Sequence, residues 1–383
     1  MTAVPLAVVG DPAGRRVAHF QDAVRARGLP PARVVAWRTV LDGAARFHPG
    51  ETVRIDSPGG DPDVERLLRG VSDPTRVEGT ARWYRGFTEA VEVVAAAVAA
   101  AGGRLLTAPA DLRVLFDKRL CHHALDRSGI PVPPSPTSGP GAAPVRGWPD
   151  VRELLARPGL RRTFVKPAHG SSASGVLALE SGAGGRVRAT TSVELSPGGA
   201  LYNSLRVRRY EDERVIGAVV DALAPDGLHV ERWLPKASQG GRSADLRVVV
   251  VAGRATHAVV RTARGPMTNL HLGGARGDLG AAVAAVTAAG GSWEHDALGV
   301  CERAAAVFPA TLCVGVDLLP ATGWRRFAVG EVNAFGDLLP GLTGLPGSPA
   351  AGLDTYAAQL AAVHASARQD HHAPLAAPLA ARP

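Results

Sequence analysis

The sequence predicts α/β and α+β domains in one chain, and three observations carry that prediction. A strand–helix–strand succession opens the chain: an apolar run at residues 4–10, a helical period over 15–27 and a second apolar run at 32–37. Two later segments, 245–262 and 312–333, each hold a pair of β-runs broken by turn-forming residues and read as antiparallel hairpins. A hydrophobic content of 46% and a charged content of 20% over 383 residues supply core for two or three domains and exclude a disordered chain.

The elements follow in order. Gly10-Asp11-Pro12-Ala13-Gly14 is not GxGxxG and reads as an ordinary βα turn. A long helix over 83–101 closes an α/β nucleotide-fold-like first domain, 1–110. A helix over 112–128 stops at Gly129, and 130–149 is a Pro/Gly-rich connection. Short β-runs at 163–167 and 175–180 flank a small-residue loop. The stretch 181–230 has poor periodicity apart from a helical run at 214–223. Its Arg206, Arg208 and Arg209 read either as a substrate-facing patch or as a solvated face. Helices at 281–289 and 293–308 separate the two hairpins. From Ala367 the composition is of low complexity, so 367–383 is expected to be a disordered tail behind domains at 111–230 and 231–366.

Several function classes are disfavoured. The first residues carry no basic run before their apolar stretch, unlike a secretory signal. The longest apolar stretch, 90–101, is interrupted by Glu92 and is too short to span a bilayer. Cys121, Cys301 and Cys313 form no CxxC pair and read as buried thiols of a reducing, cytoplasmic compartment. The pairs His122-His123 and His371-His372 read as surface histidines. Net charge is 43 − 35 = +8, but the basic residues are scattered and aromatics make up 5%, which argues against a nucleic-acid partner. An anionic substrate accounts for part of the charge.

The same composition makes its exceptions informative. Of 43 basic residues only Lys118, Lys166 and Lys236 are lysine, and asparagine occurs only at Asn203, Asn269 and Asn333. A retained lysine points to a need for a compact ammonium rather than a planar fork. In residues 313–336 Asp317 and Glu331 can face each other across an antiparallel pair, and Glu331 and Asn333, at i and i+2, share a face. Two carboxylates and an amide suit Mg²⁺, which takes its other ligands from water and phosphates. In FVKPAHGSSASGV, residues 164–176, a strand delivers Lys166 ahead of a loop whose Ser171 and Ser172 backbone can approach phosphate oxygens; an ordinary interstrand loop is the bland alternative. FDKRL places Lys118 on the helix beginning near Leu112, where a solvated lysine is also expected. HVERWLPKA carries Glu231, Trp233 and Leu234 into a connector. Arg247 and Arg261, on adjacent strands, either form an anion clamp or make structural ion pairs with Asp245. TNLHLGG, 268–274, adds Asn269.

In this order the motifs resemble the ATP-grasp superfamily, most closely its RimK and glutathione synthetase-like carboxylate–amine ligases, over residues 112–340. The resemblance implies a Rossmann-like (pre-ATP-grasp) domain followed by a two-lobed ATP-grasp fold. It implies ATP and Mg²⁺ (a pair of ions, or Mn²⁺) as cofactors, with a carboxylate substrate, small molecule or peptide, and an amine as partners. A homo-oligomer is compatible with it. Lys118, Lys166 and the Ser171-Ser172 loop match phosphate contacts, and residues 231–234 match the hinge against adenine. Asp245, Arg247, Arg261 and Asn269 match residues near the phosphates and reacting carboxylate, and Asp317, Glu331 and Asn333 match metal ligands. The stretch 231–245 is longer than the family pattern, and 181–230 has no counterpart. The implied reaction forms an amide through an acyl phosphate. A non-catalytic ATP-binding regulator and an ATP-grasp kinase are the competing readings.

Overall fold

The computed structural model describes residues 4–73, 75–170, 173–336 and 339–372, and among these the strands form three sheets. Strands β1 (Leu6–Gly10), β2 (Arg33–Ala36), β3 (Thr52–Ile55) and β4 (Arg104–Leu105) are parallel, in the order β2-β1-β3-β4. β1 is buried along its whole length, which is why it reads as an unbroken apolar run. Helices Arg15–Ala26, Pro62–Arg69 and Thr80–Ala100 accompany this sheet. The last starts after Gly79, whose φ of 86° is left-handed. Its cap comes from far along the chain: Asp226 accepts from the N–H groups of Gly79 (2.6 Å) and Ala81 (3.1 Å). Asp226→Ala is therefore expected to lower stability by about 1 kcal/mol, the usual size of a lost N-terminal cap, measurable as a lower urea midpoint.

The single helix expected over 112–128 is two, Pro109–Leu115 and Lys118–Arg127. Phe116 ends the first, and Asp117 caps the second by accepting from the Arg119 and Leu120 N–H groups, so Lys118 opens a helix instead of lying within one. His122, expected at the surface, is buried, with Nδ1 2.8 Å from Ser138 Oγ and Nε2 2.6 Å from the Pro133 carbonyl.

The second sheet is antiparallel: β5 (Arg162–Pro167), β6 (Leu177–Ser181), β7 (Val187–Leu195), β8 (Leu201–Tyr210) and β9 (Leu228–Arg232), in the order β8-β7-β6-β5-β9. Helices Trp148–Ala156 and Glu213–Leu223 share its core through Val151, Leu155, Ile216 and Val220. The first of these helices begins inside the segment read as a connection, because Pro149 sits in its first turn, where proline is compatible with a helix. Hairpin β7–β8 fills the stretch that sequence periodicity left unplaced. Its pairing slips: Val193 faces Asn203 while Thr191 faces Arg208, so residues 204–207 bulge out and the alternation is lost. Arg208 pairs with Glu194 and Arg209 with Glu211, the solvated-face alternative.

The third sheet holds β10 (Ser238–Gln239), β11 (Arg242–Val251), β12 (Arg254–Ala263), β13 (Ala275–Arg276), β14 (Cys313–Pro320) and β15 (Phe327–Asn333), in the order β13-β12-β11-β14-β15 with β10 beside β11. The additional length after Glu231 is the β10–β11 hairpin, turning on Gly240 and Gly241 at positive φ. Helices Leu279–Ala288 and Gly299–Ala306 lie between β13 and β14, the second preceded by a π-helical Trp293–Leu298.

Cores link these parts unequally. Val9, Val53 and Phe87 of the first domain belong to one continuous cluster with Leu246 and Val316 of the third sheet, whereas the second sheet has its own. Helix Thr355–His372 returns to the first domain, packing Tyr356, Leu360 and Val363 with Leu6, Val8 and Phe20. It runs six residues into the segment expected to be disordered; 373–383 lie outside the described residues. Among the described residues no helix is long and apolar enough to cross a membrane.

Candidate active site

Strand register assembles the charged residues. Asp245 faces Arg261 across β11–β12, Arg247 faces Asp317 across β11–β14, and Asp317 faces Glu331 across β14–β15. Arg247 grips Asp317 with two bonds, Nε to Oδ1 at 2.6 Å and Nη2 to Oδ2 at 3.2 Å. Arg261 bridges two carboxylates, 2.8 Å from Asp245 Oδ1 and 2.9 Å from Asp317 Oδ1. Lys236 continues the chain, 3.1 Å from Asp245 Oδ2 and 3.2 Å from Thr268 Oγ1. The arginines thus share a face, and Arg261 also makes the ion pair with Asp245 that was the alternative, whereas Arg247 pairs with Asp317 instead. Burial alone would raise the Asp317 carboxyl, but Arg247 and Arg261 outweigh it and hold the group below the usual carboxylate range.

The lysines pair in the same manner. Lys118 Nζ lies 2.6 Å from Glu331 Oε1 and donates to the Gly170 carbonyl at 2.7 Å, tying helix Lys118–Arg127 to β15 and to the loop after β5. Lys166 on β5 faces β9 and reaches Glu231 Oε1 at 2.5 Å. Burial would raise Glu231 and lower Lys166. The ion pair reverses both, holding Glu231 at about 2 and raising Lys166. Beside Glu231, Trp233 stands against Phe164 and under the Arg162 guanidinium, 3.9 Å above its ring. Asn269 heads a tight turn in which its carbonyl accepts from Leu272 and Gly274. A Cβ on Gly274 would stand 2.6 Å from the Thr268 oxygen, so only glycine fits.

All these side chains meet in one place. A cavity of about 720 Å³ is lined by Lys118, Lys166, Glu231, Trp233, Leu234, Asp245, Arg247, Arg261, Asn269, Asp317, Glu331 and Asn333. Ser171 and Ser172 lie outside the described residues. Arg206, Arg208 and Arg209 do not line it, so β8 is not a wall of this cavity.

Lys236 and the 10–14 turn also line the cavity and had no assigned role. The rarity of lysine already marked Lys236. The turn, with Asp11 and Gly14, follows β1, whose neighbours β2 and β3 lie on opposite sides. In parallel sheets ligands bind at such a switch point, beyond the carboxyl ends of the strands. That signal was unreadable before the strand order was known.

Among the described residues no group of three or more His, Cys, Asp or Glu side chains is placed to hold a metal. The hairpin instead offers oxygens of Glu331 and Asn333, beside Asp317, whose two oxygens are already bonded by Arg247 and Arg261. Asn333 Nδ2 donates to the Gly315 carbonyl at 3.3 Å, which leaves its oxygen to accept, and Glu331 binds Lys118 through Oε1 alone. This donor set fits a hard cation that completes its shell with water and phosphate oxygens.

The sequence matches no protein-family model, and no curated protein matches it. Its fold does have counterparts. The ATP-grasp ligase PsnB complexed with minimal precursor is 18% identical, covering 94% of this chain and 99% of that one with a TM-score of 0.53. PsnB complexed with precursor peptide PsnA2 and AMPPNP is 17% identical, covering 96% and 99%, TM-score 0.50. D-alanine–D-alanine ligase from Bacillus anthracis is 12% identical, covering 96% and 99%, TM-score 0.52. Over nearly the full length of each, the chain shares its fold with these ATP-grasp ligases.

Proposed function

We propose that the chain is an ATP-dependent ligase that joins a carboxylate to an amine. One observation carries the reading: side chains nominated from five separated motifs converge on a single cavity. Lys118 and Lys166 are suited to the phosphates, and residues 231–234 to the base. Asp317, Glu331 and Asn333 would hold Mg²⁺, which when bound supplies charge neutralisation to the triphosphate. Arg247 and Arg261 lie beside Asp317 and are suited to stabilising charge that develops on transferred phosphoryl and acyl oxygens. In the reaction a carboxylate oxygen attacks the γ-phosphorus, breaking its bond to the bridging oxygen and releasing ADP. The amine then attacks the acyl carbon of the acyl phosphate, phosphate leaves, and the amine nitrogen loses its extra proton. Three buried free thiols support a cytoplasmic setting.

The test is mass spectrometry of products after incubation with ATP, Mg²⁺ and a cell extract. ADP, phosphate and a new amide in equimolar amounts are expected, and EDTA should abolish all three. ADP with a stable phosphorylated product would select a phosphotransferase. Nucleotide binding without turnover would select a regulator.

A further inference from the structure

We infer that His229 is a positioning residue that sets the nucleotide-base selectivity of the cleft, an inference that rests on the nucleotide reading of the same cavity. His229 and Glu231 stand two residues apart on β9, so their side chains leave the strand on one face. Glu231 lines the cavity; His229 does not. The histidine is 1% exposed and sits behind the carboxylate, beside a void of about 20 Å³. Both carboxylate oxygens are held, Oε1 by Lys166 at 2.5 Å and Oε2 by His229 Nε2 at 3.3 Å.

The surrounding bonds favour the tautomer that donates. Thr137 Oγ1 accepts the Val230 N–H at 2.7 Å, and its own proton is available to His229 Nδ1 at 3.3 Å or to the Val230 carbonyl at the same distance. A ring that accepts at Nδ1 carries its proton on Nε2, which faces Glu231. Burial keeps the imidazole neutral by lowering its affinity for a second proton. The neighbouring His122 ring, 5.2 Å away, faces the Pro133 carbonyl with Nε2, which must donate there, and does not compete for Glu231.

A carboxylate pinned from both ends offers its remaining lone pairs in a fixed direction, next to Trp233 and Leu234. An acceptor fixed there pairs with the exocyclic amino group of adenine and meets the carbonyl oxygen of guanine with repulsion and an unmade bond. Freed from His229, Glu231 can turn about Lys166, and the difference between the bases shrinks. His229 acts through Glu231 without touching the nucleotide.

Calorimetric titration with non-hydrolysable ATP and GTP analogues, in Mg²⁺, tests this in wild type, His229→Leu, His229→Gln and Thr137→Val, with thermal melting of each. The ATP-to-GTP affinity ratio is expected to fall about tenfold in His229→Leu, the scale of one hydrogen bond to a charged group. It should be largely restored in His229→Gln, which keeps a donor, and reduced to a lesser degree in Thr137→Val. A folded His229→Leu with an unchanged ratio, or equal losses for both analogues, overturns the inference and leaves His229 a packing residue. Should His229→Leu not fold, an unchanged ratio in Thr137→Val overturns it instead. Wild-type protein that binds neither analogue sinks the nucleotide reading and this inference together.

Discussion

Glu331→Gln is expected to cut Mg²⁺-dependent ATP consumption by at least about 10²-fold while leaving the fold in place, the scale of losing one preorganised electrostatic group. The amide keeps the shape of the side chain and an acceptor oxygen for Lys118. Glu331 is about one-third exposed, so the loss of its ion pair is softened by solvent. What disappears is the negative charge between Asp317 on the facing strand and Asn333 on its own. A coupled ADP-release assay at saturating ATP, with circular dichroism melting as the control, measures both halves of the expectation. Wild-type turnover in a folded variant would show that Glu331 is not a ligand. A collapsed melting curve would make it a structural residue.

Lys166→Ala carries the larger effect on stability, on the order of 3–5 kcal/mol, because it strands a buried carboxylate without its counter-charge. Glu231 is only 4% exposed and its remaining partner, His229, is a neutral ring. The two proteins should differ in the sign of their response to acid. In wild type the folded Glu231 titrates at about 2, below its ordinary 4.5. The ion pair's contribution is thus present above about 4.5 and is lost as pH falls through about 2. In the variant, burial without Lys166 raises the folded Glu231 above its ordinary value. Protonation then relieves the buried charge, and this group adds stability as pH falls. Urea denaturation at pH 7 and pH 5 should therefore show Lys166→Ala recovering part of its deficit at the lower pH. A variant as stable as wild type at pH 7 would mean that Glu231 finds water or another partner.

That second prediction marks a boundary of sequence reading. Read only as a nucleotide contact, Lys166 implies a substitution that leaves the fold intact. Its partner appears only when β5 and β9, over sixty residues apart, lie side by side. Pairs within one hairpin were legible, because turn residues fix the register: Asp317 opposite Glu331 follows from the turn between them. The Asp245–Arg261 and Arg247–Asp317 pairs were half legible, since the hairpin was readable but β11 next to β14 was not. Hairpin β7–β8 was hidden for a local reason. Its bulge breaks alternation, and its arginines sit on an edge strand with one wet face. The break at Asp117 could have been read, because Asp followed by Lys-Arg-Leu is a capping sequence inside an otherwise continuous helical pattern.

The returning C-terminal helix also orders events in time. Leu6, Val8 and Phe20 find Tyr356, Leu360 and Val363 as neighbours, and the buried Arg54 beneath them bonds both Asp56 and Gln359. Synthesis runs from the first strand to the last helix, and domains ordinarily fold as they emerge. Here the opening sheet leaves the ribosome with Leu6 and Val8 covered only by helix Arg15–Ala26, and with Arg54 still without Gln359. It must wait for residues 355–363, some three hundred positions later, to close. This sheet is thus made some three hundred positions before the helix that completes its core, and over that interval Leu6, Val8 and Phe20 lack their last apolar neighbours.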